Sequence, residues 1–230
     1  MNLAIIFLKC EPMKRKDLLP EFIDEFGPAQ ELANIIIHVV GIIFGIAAIP
    51  YLLDTVSRQN TSHIISISIY ALCFLMMFTF STLYHSARRT KLKLLFKKLD
   101  RISIYFLIAG TYTAIIRYYL FDTTGIVLLS ILWSLVVAGI FFEIFFPGRY
   151  NIFSVVSYLI MGLMFLFVPD QFFAAMPAGI MWLVLCGAGL YVFGVIFYVW
   201  QKWSYHHAIW HCFVLGGGIC HFVAVLQTVA

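Results

Sequence analysis

A few small groups of residues in this 230-residue chain have the types and spacing to do chemistry. His207 and His211 stand four apart, so on a helix both imidazoles share one face, a spacing suited to a divalent metal ion. The HxxxH pattern alone is a weak signal, because the internal Glu of the HExxH zincins is missing. Ser81 and His85 repeat the four-residue interval, and a third His from there would complete a three-ligand set. Three protein ligands plus water is the open, catalytic form of a zinc site, where the pKa of the bound water falls to about 7. A carboxylate beside such a water would take its proton and orient it, and Asp100 is the candidate. Ser81 could hydrogen-bond an imidazole, Asp100 or a substrate oxygen. Glu31, Asn34 and His38 recur at i, i+3 and i+7, share one helical face, and read as outer neighbours of the site.

The rest of the chain dictates what must hold these residues. It is 63% hydrophobic and 11% charged, with mean hydropathy +0.97, whereas a soluble domain is about 45–50% apolar and about 25% charged. A water-soluble globule of this size could not hide so much apolar surface. That excludes a soluble enzyme, a disordered chain and a nucleic-acid binder, and it leaves lipid as the solvent. Seven apolar stretches, 32–53, 63–86, 100–120, 125–146, 151–168, 178–200 and 206–226, are each long enough to cross a bilayer as helices, the fifth only just. The expectation is an all-α integral membrane protein, a seven-helix transmembrane domain over 31–230 after a cytoplasmic segment 1–30. No separate soluble domain, internal repeat or low-complexity segment accompanies it.

Lys and Arg set the orientation. With the N-terminus in the cytoplasm only Arg58 and Arg117 fall outside, leaving 13 of the 15 basic residues inside, so the C-terminus is expected outside. The net charge of +4 is therefore a statement about orientation, and the basic run from Arg88 to Lys98 separates two spans. Odd spans start, and even spans end, on the same side. Glu31, Asn34, His38, Ser81, His85, Asp100, His207 and His211 thus all converge at the cytoplasmic edge of the membrane. The five cysteines show no CxxC spacing and read as small apolar packing residues. Met1 to Leu8 lacks a basic flank and a cleavage site and does not read as a signal peptide.

At these residues the chain resembles the hemolysin III-like bacterial membrane proteins, relatives of the progestin and adipoQ receptors and, more distantly, of the alkaline ceramidases. The matching pieces are Glu31-Leu-Ala-Asn34-Ile-Ile-Ile-His38, Ser81-Thr-Leu-Tyr-His85, Asp100, Ile108-Ala-Gly-Thr-Tyr-Thr113 and His207-Ala-Ile-Trp-His211, with His221 ten residues on. The resemblance implies a bacterial inner-membrane protein that holds one Zn²⁺ per chain through His85, His207 and His211 near the cytoplasmic side. It further implies Asp100 as partner of the metal-bound water, with Ser81 and Glu31 as neighbours. Hydrolysis of a lipid or fatty-acyl amide is what the ceramidase branch implies, and a role in membrane lipid homeostasis fits the hemolysin III branch. One departure is His206, where relatives often carry Ser; it is an alternative ligand with poorer spacing to His211.

Each of these residues also has an ordinary role available. Asp100 could be a helix N-cap, and Ser81 could bond its own backbone. Glu31 and Asn34 suit a first helical turn, and His38 suits a structural hydrogen bond. His221 lies about 15 Å along its helix from His211, too far to share a metal. Glu143 is expected to reach headgroups, His63 to be a surface residue in the outer loop, and Gly216-Gly217-Gly218 to permit close helix packing. The function these expectations favour is a zinc-dependent intramembrane hydrolase of a lipid or fatty-acyl amide or ester, with membrane lipids as partners. A zinc-containing sensor without turnover and a pore-forming protein are the alternatives.

Overall fold

The computed structural model describes residues 26–146, 151–167 and 170–230, and among them the chain is helical with no strand. In chain order the helices are α1 (Pro28–Val56), α2 (Thr61–Ser86), α3 (Thr90–Tyr119), α4 (Thr123–Phe145) and α5 (Asn151–Gly162). A 3₁₀ turn at Met164–Phe167 follows, then α6 (Asp170–Ala175), α7 (Ala178–Val199) and α8 (His206–Val229). Six of these, all but α5 and α6, are long and apolar enough to cross a membrane. Large apolar side chains such as Ile46, Leu72, Val137, Trp182 and Phe193 are exposed on the outside of the bundle, where hydrocarbon rather than water suits them.

Local signals start the helices where they do. Pro28 opens α1 with its fixed φ, Asn60 caps α2 by accepting from the His63 N–H at 3.0 Å, and Asp122 caps α4 by accepting from the Gly125 N–H at 2.9 Å. The buried residues of α1, Asn34, His38, Gly41, Gly45, Ile49, Leu52 and Val56, form one stripe at helical period. That stripe meets α2 closely: a Cβ at Gly41 would stand 2.3 Å from the Phe78 ring. The α2–α3 and α7–α8 pairs pack along their lengths, α1 bridges α2 to α8, and α4 and α5 cover α3. Tyr70, Phe74, Phe78, Ile116 and Phe222 fill the centre.

Two elements depart from the expected spans. The third helix begins at Thr90, so most of the basic run is helical. Its Lys and Leu are good helix formers, and a search for uninterrupted apolar sequence passes over a charged helical turn. The fifth stretch is α-helical for 12 residues, which is about 18 Å against a hydrocarbon thickness of about 30 Å. The 3₁₀ turn extends it. Tyr112 supports this break from α3, donating to the Gly162 carbonyl at 3.0 Å while accepting from the Phe165 N–H at 2.9 Å. Backbone groups released from the helix thereby stay paired, as hydrocarbon demands.

The bundle has two distinct ends. At one, Gln30 bonds the Ser204 carbonyl and Glu31 reaches both His85 and Lys93, so the starts of α1, α3 and α8 meet the end of α2. At the other, Gln59 donates to the Val229 carbonyl at 2.9 Å and Arg117 bonds Ser62. The expected convergence of the polar groups on one end is thus what the helices produce.

Candidate metal centre

His38, His85 and His211 are all buried, and each offers a ring nitrogen within 4.8 Å of the other two. They come from α1, α2 and α8. His85 Nδ1 donates to Glu31 Oε2 at 2.6 Å, which leaves its Nε2 as the lone-pair nitrogen, and that atom faces His211 Nε2 at 3.1 Å. Glu31 is in turn held by the ammonium of Lys93. His38 Nε2 pairs with Ser81 Oγ at 2.8 Å, and Ser81 also hydrogen-bonds Asp100. The Asn34 amide nitrogen lies 3.3 Å from His85 Nδ1.

The polar inventory of this cluster does not close by itself. Asn34 Oδ1, His38 Nδ1 and His211 Nδ1 are buried with no hydrogen-bond partner among the described residues. Leaving so many polar atoms unpaired in one place is costly. Two imidazole Nε2 atoms facing at 3.1 Å also need a proton or a cation between them. Nitrogens bound tetrahedrally at about 2.0–2.1 Å to one zinc ion would lie about 3.4 Å apart. The donor set is neutral imidazole with a carboxylate behind it, the combination such ions take. These residues fit a divalent metal.

The residues marked in the sequence fall as follows. His85 and His211 are central. His38, read as an outer neighbour, belongs to the tight group and also makes the expected structural bond. His207 lies one turn nearer the end of the bundle, half-buried, its ring 4.4 Å from that of His211 and 5.5 Å from that of His85. His206 points elsewhere, its Nδ1 pairing with the Phe197 carbonyl at 3.2 Å. Asp100 is about three turns inside α3, so it is no N-cap, and Ser81 bonds side chains rather than its own backbone. Glu31 does sit in the first turn of α1, yet it spends both oxygens on the site.

Glu143 does not reach headgroups: it is buried, accepts from Ser154 at 2.5 Å and lies 3.4 Å from Arg101 Nε, because α5 folds back over it. His63 is in the first turn of α2, stacked on Tyr118 with ring centroids 4.1 Å apart. Cys73 is buried and Cys220 half-buried, whereas Cys186 and Cys212 are exposed on the apolar outside. Cys10, Arg149 and the segment 1–25 lie outside the described residues. Lys93 and Phe26 went unmarked in the sequence. Lys93 would have been found by reading 90–98 as helix, which places it opposite Glu31. Phe26, 4.4 Å from the His207 ring, carried no signal.

A cavity of about 130 Å³ runs from this cluster into the bundle between α3, α5, α7 and α8. His38, Ser81, Asp100 and His211 line its polar end, and side chains such as Ile104, Ile108, Val195 and Val214 make its wall apolar. A second cavity of about 60 Å³ shares Asp100 and Trp210 with the first and adds Lys97, Arg101 and His207.

Residues 26–222 match a family described as haemolysin-III related. The chain is similar to a protein named hemolysin-3 homolog from Bacillus subtilis (strain 168), at 38% identity over 87% of this chain and 95% of that protein. It is similar to hemolysin-3 from Bacillus cereus at 38% identity over 86% and 90% of the two chains. A more distant likeness, 26% identity over 93% of this chain and 94% of the other, is to the human monocyte to macrophage differentiation factor.

Proposed function

The chain belongs to the haemolysin-III related family of multi-pass membrane proteins, and from that premise we propose that it is a zinc-dependent hydrolase of a lipid or fatty-acyl amide or ester bond. The observation that carries this reading is the junction of two environments: an apolar cavity inside a membrane bundle ends on imidazoles, a hydroxyl and a carboxylate. A lipid carbonyl could stand there with its hydrocarbon chain in the cavity.

In this reading His85, His207 and His211 hold the ion. When bound, zinc supplies a Lewis acid and lowers the pKa of its water to about 7. Glu31 keeps the proton of His85 on Nδ1 and so presents the Nε2 lone pair inward. Asp100 accepts a proton at the mouth of the cavity and returns it to the departing nitrogen or oxygen. Ser81, bonded to both His38 and Asp100, fixes the direction of the carboxylate. The surrounding apolar wall keeps bulk water from the acyl chain.

The test uses purified protein in lipid nanodiscs, with metal content by mass spectrometry and turnover of a membrane-lipid extract by loss of substrate. Wild type should carry about one zinc per chain. Asp100→Asn should keep the metal and lose turnover by at least about a hundredfold, while His85→Ala and His211→Ala should lose both. Undiminished turnover in an Asp100→Asn, His211→Ala double variant would overturn the proposal. Zinc retained with no lipid consumed by wild type would leave a metal-containing sensor in its place.

A further inference from the structure

Away from the histidine cluster the apolar cavity is lined by two bulky polar-tipped residues, His221 of α8 and Tyr191 of α7. Each sits on a glycine of the opposite helix. A Cβ at Gly187 would stand 2.3 Å from His221 Cδ2 and 2.5 Å from its Nε2, and a Cβ at Gly217 would stand 2.9 Å from Tyr191 Cζ. His221 Nε2 donates to the Val184 carbonyl at 3.1 Å, and the two rings meet edge to face at 5.4 Å. The helix backbones approach so closely here that the added Cβ at Gly187 would also lie 3.1 Å from the Gly217 carbonyl oxygen. Nothing else in the site needs this arrangement, because His221 is ten residues from His211 and cannot share its ion.

We infer that His221, seated on Gly187, is a length stop that limits how far one hydrocarbon chain can run into the cavity. Ten residues of α8 separate His211 from His221, about 15 Å at 1.5 Å per residue, so a chain that starts at the histidine cluster cannot run farther than that along α8 before it meets the imidazole. A longer chain would have to displace the imidazole and break its bond to Val184, stranding a polar group in an apolar wall. The carbons within the limit are buried and each adds affinity. The inference rests on the proposed reading that an acyl chain occupies the cavity, but it requires no turnover.

Equilibrium displacement of a radiolabelled fatty acid from the full chain in nanodiscs by straight-chain fatty acids, from about C8 to about C18, tests it; affinity should rise roughly fourfold per carbon up to the stop and then level or fall. His221→Ala removes atoms only and should move the break to longer chains by roughly two to four carbons. Gly187→Ala should move it to shorter chains by forcing the ring into the cavity; if this variant does not fold, His221→Ala decides. Affinity climbing without a break through the longest chain in wild type, or a break unmoved in His221→Ala, overturns the inference. Because binding alone is read, a break that moves while no lipid is ever hydrolysed would sink the hydrolase proposal and leave the length stop standing.

Discussion

Glu31 decides which nitrogen of His85 is available. Its carboxylate accepts a hydrogen bond from the Nδ1–H at 2.6 Å, and the Lys93 ammonium holds the carboxylate in place. Replacing Glu31 by Gln removes the charge that fixes this tautomer, and zinc affinity should fall roughly 10–100-fold, read by competition with a chelator of known affinity. Lys93→Ala should act in the same direction and more weakly, since it works only through Glu31. Two residues compete for the place of third ligand. His38 has one nitrogen on Ser81 and the other buried without a hydrogen-bond partner among the described residues, whereas His207 meets His211 edge to face from one turn away. On the proposed ligand set metal content should drop to near zero in His207→Ala and persist in His38→Ala; the reverse result would assign the ion to His38, His85 and His211. The sequence made His85 and His211 legible because helical periodicity and alternating spans are enough to put them on one face at one end. It set His207 among the ligands and His38 outside them, whereas the folded chain packs His38 with His85 and His211, because side-chain rotation and a hydrogen bond to Ser81 are not written in helical spacing.

Helix α3 carries the acid of the site and is itself held by a buried polar lock. Arg101, beside Asp100, meets Glu143 of α4, which also accepts from Ser154 of α5, and Tyr158 of α5 donates to the Arg101 carbonyl at 2.9 Å. Removing one member of a buried ion pair strands the other, so Glu143→Ala should cost about 3–5 kcal/mol. Thermal unfolding in detergent measures the loss, and an Arg101→Met, Glu143→Leu pair should recover much of it because no charge is then left stranded. The sequence placed Glu143 at the correct end of its helix but could not show that α5 covers it. Charge and hydropathy locate a residue along the membrane normal and say nothing about which side of a helix has a neighbour. The same blindness applies to α5. Its apolar run is continuous through Phe167, and only Tyr112, on another helix, reveals that the backbone changes geometry after Gly162.

The whole molecule poses a question of parity. Pro28 and His206 begin helices at the end that holds the histidines, and Val229 finishes at the other, beside Gln59. The chain therefore ends opposite to where α1 starts, which requires the short α5 and its 3₁₀ turn to carry it across; together they span about 26 Å, within reach of a thinned or locally covered bilayer. Charge then gives an expectation for which end faces which compartment. Lys93, Lys97 and Arg101 crowd the histidine end, while Arg117 bonds Ser62 and stacks over Phe121 at the other. By the positive-inside rule the histidine end is expected to face the cytoplasm. A fluorescent-protein reporter inserted between Ser86 and Thr90 should therefore be bright, and an alkaline phosphatase fused after Ala230 should be active. Reporters responding on one shared side would mean that α5 does not complete a crossing, and both responding in the opposite sense would turn the metal site to the outer face. The second outcome would change the chemistry as well as the topology, because a site opening outward would draw its metal and its lipid from a different leaflet.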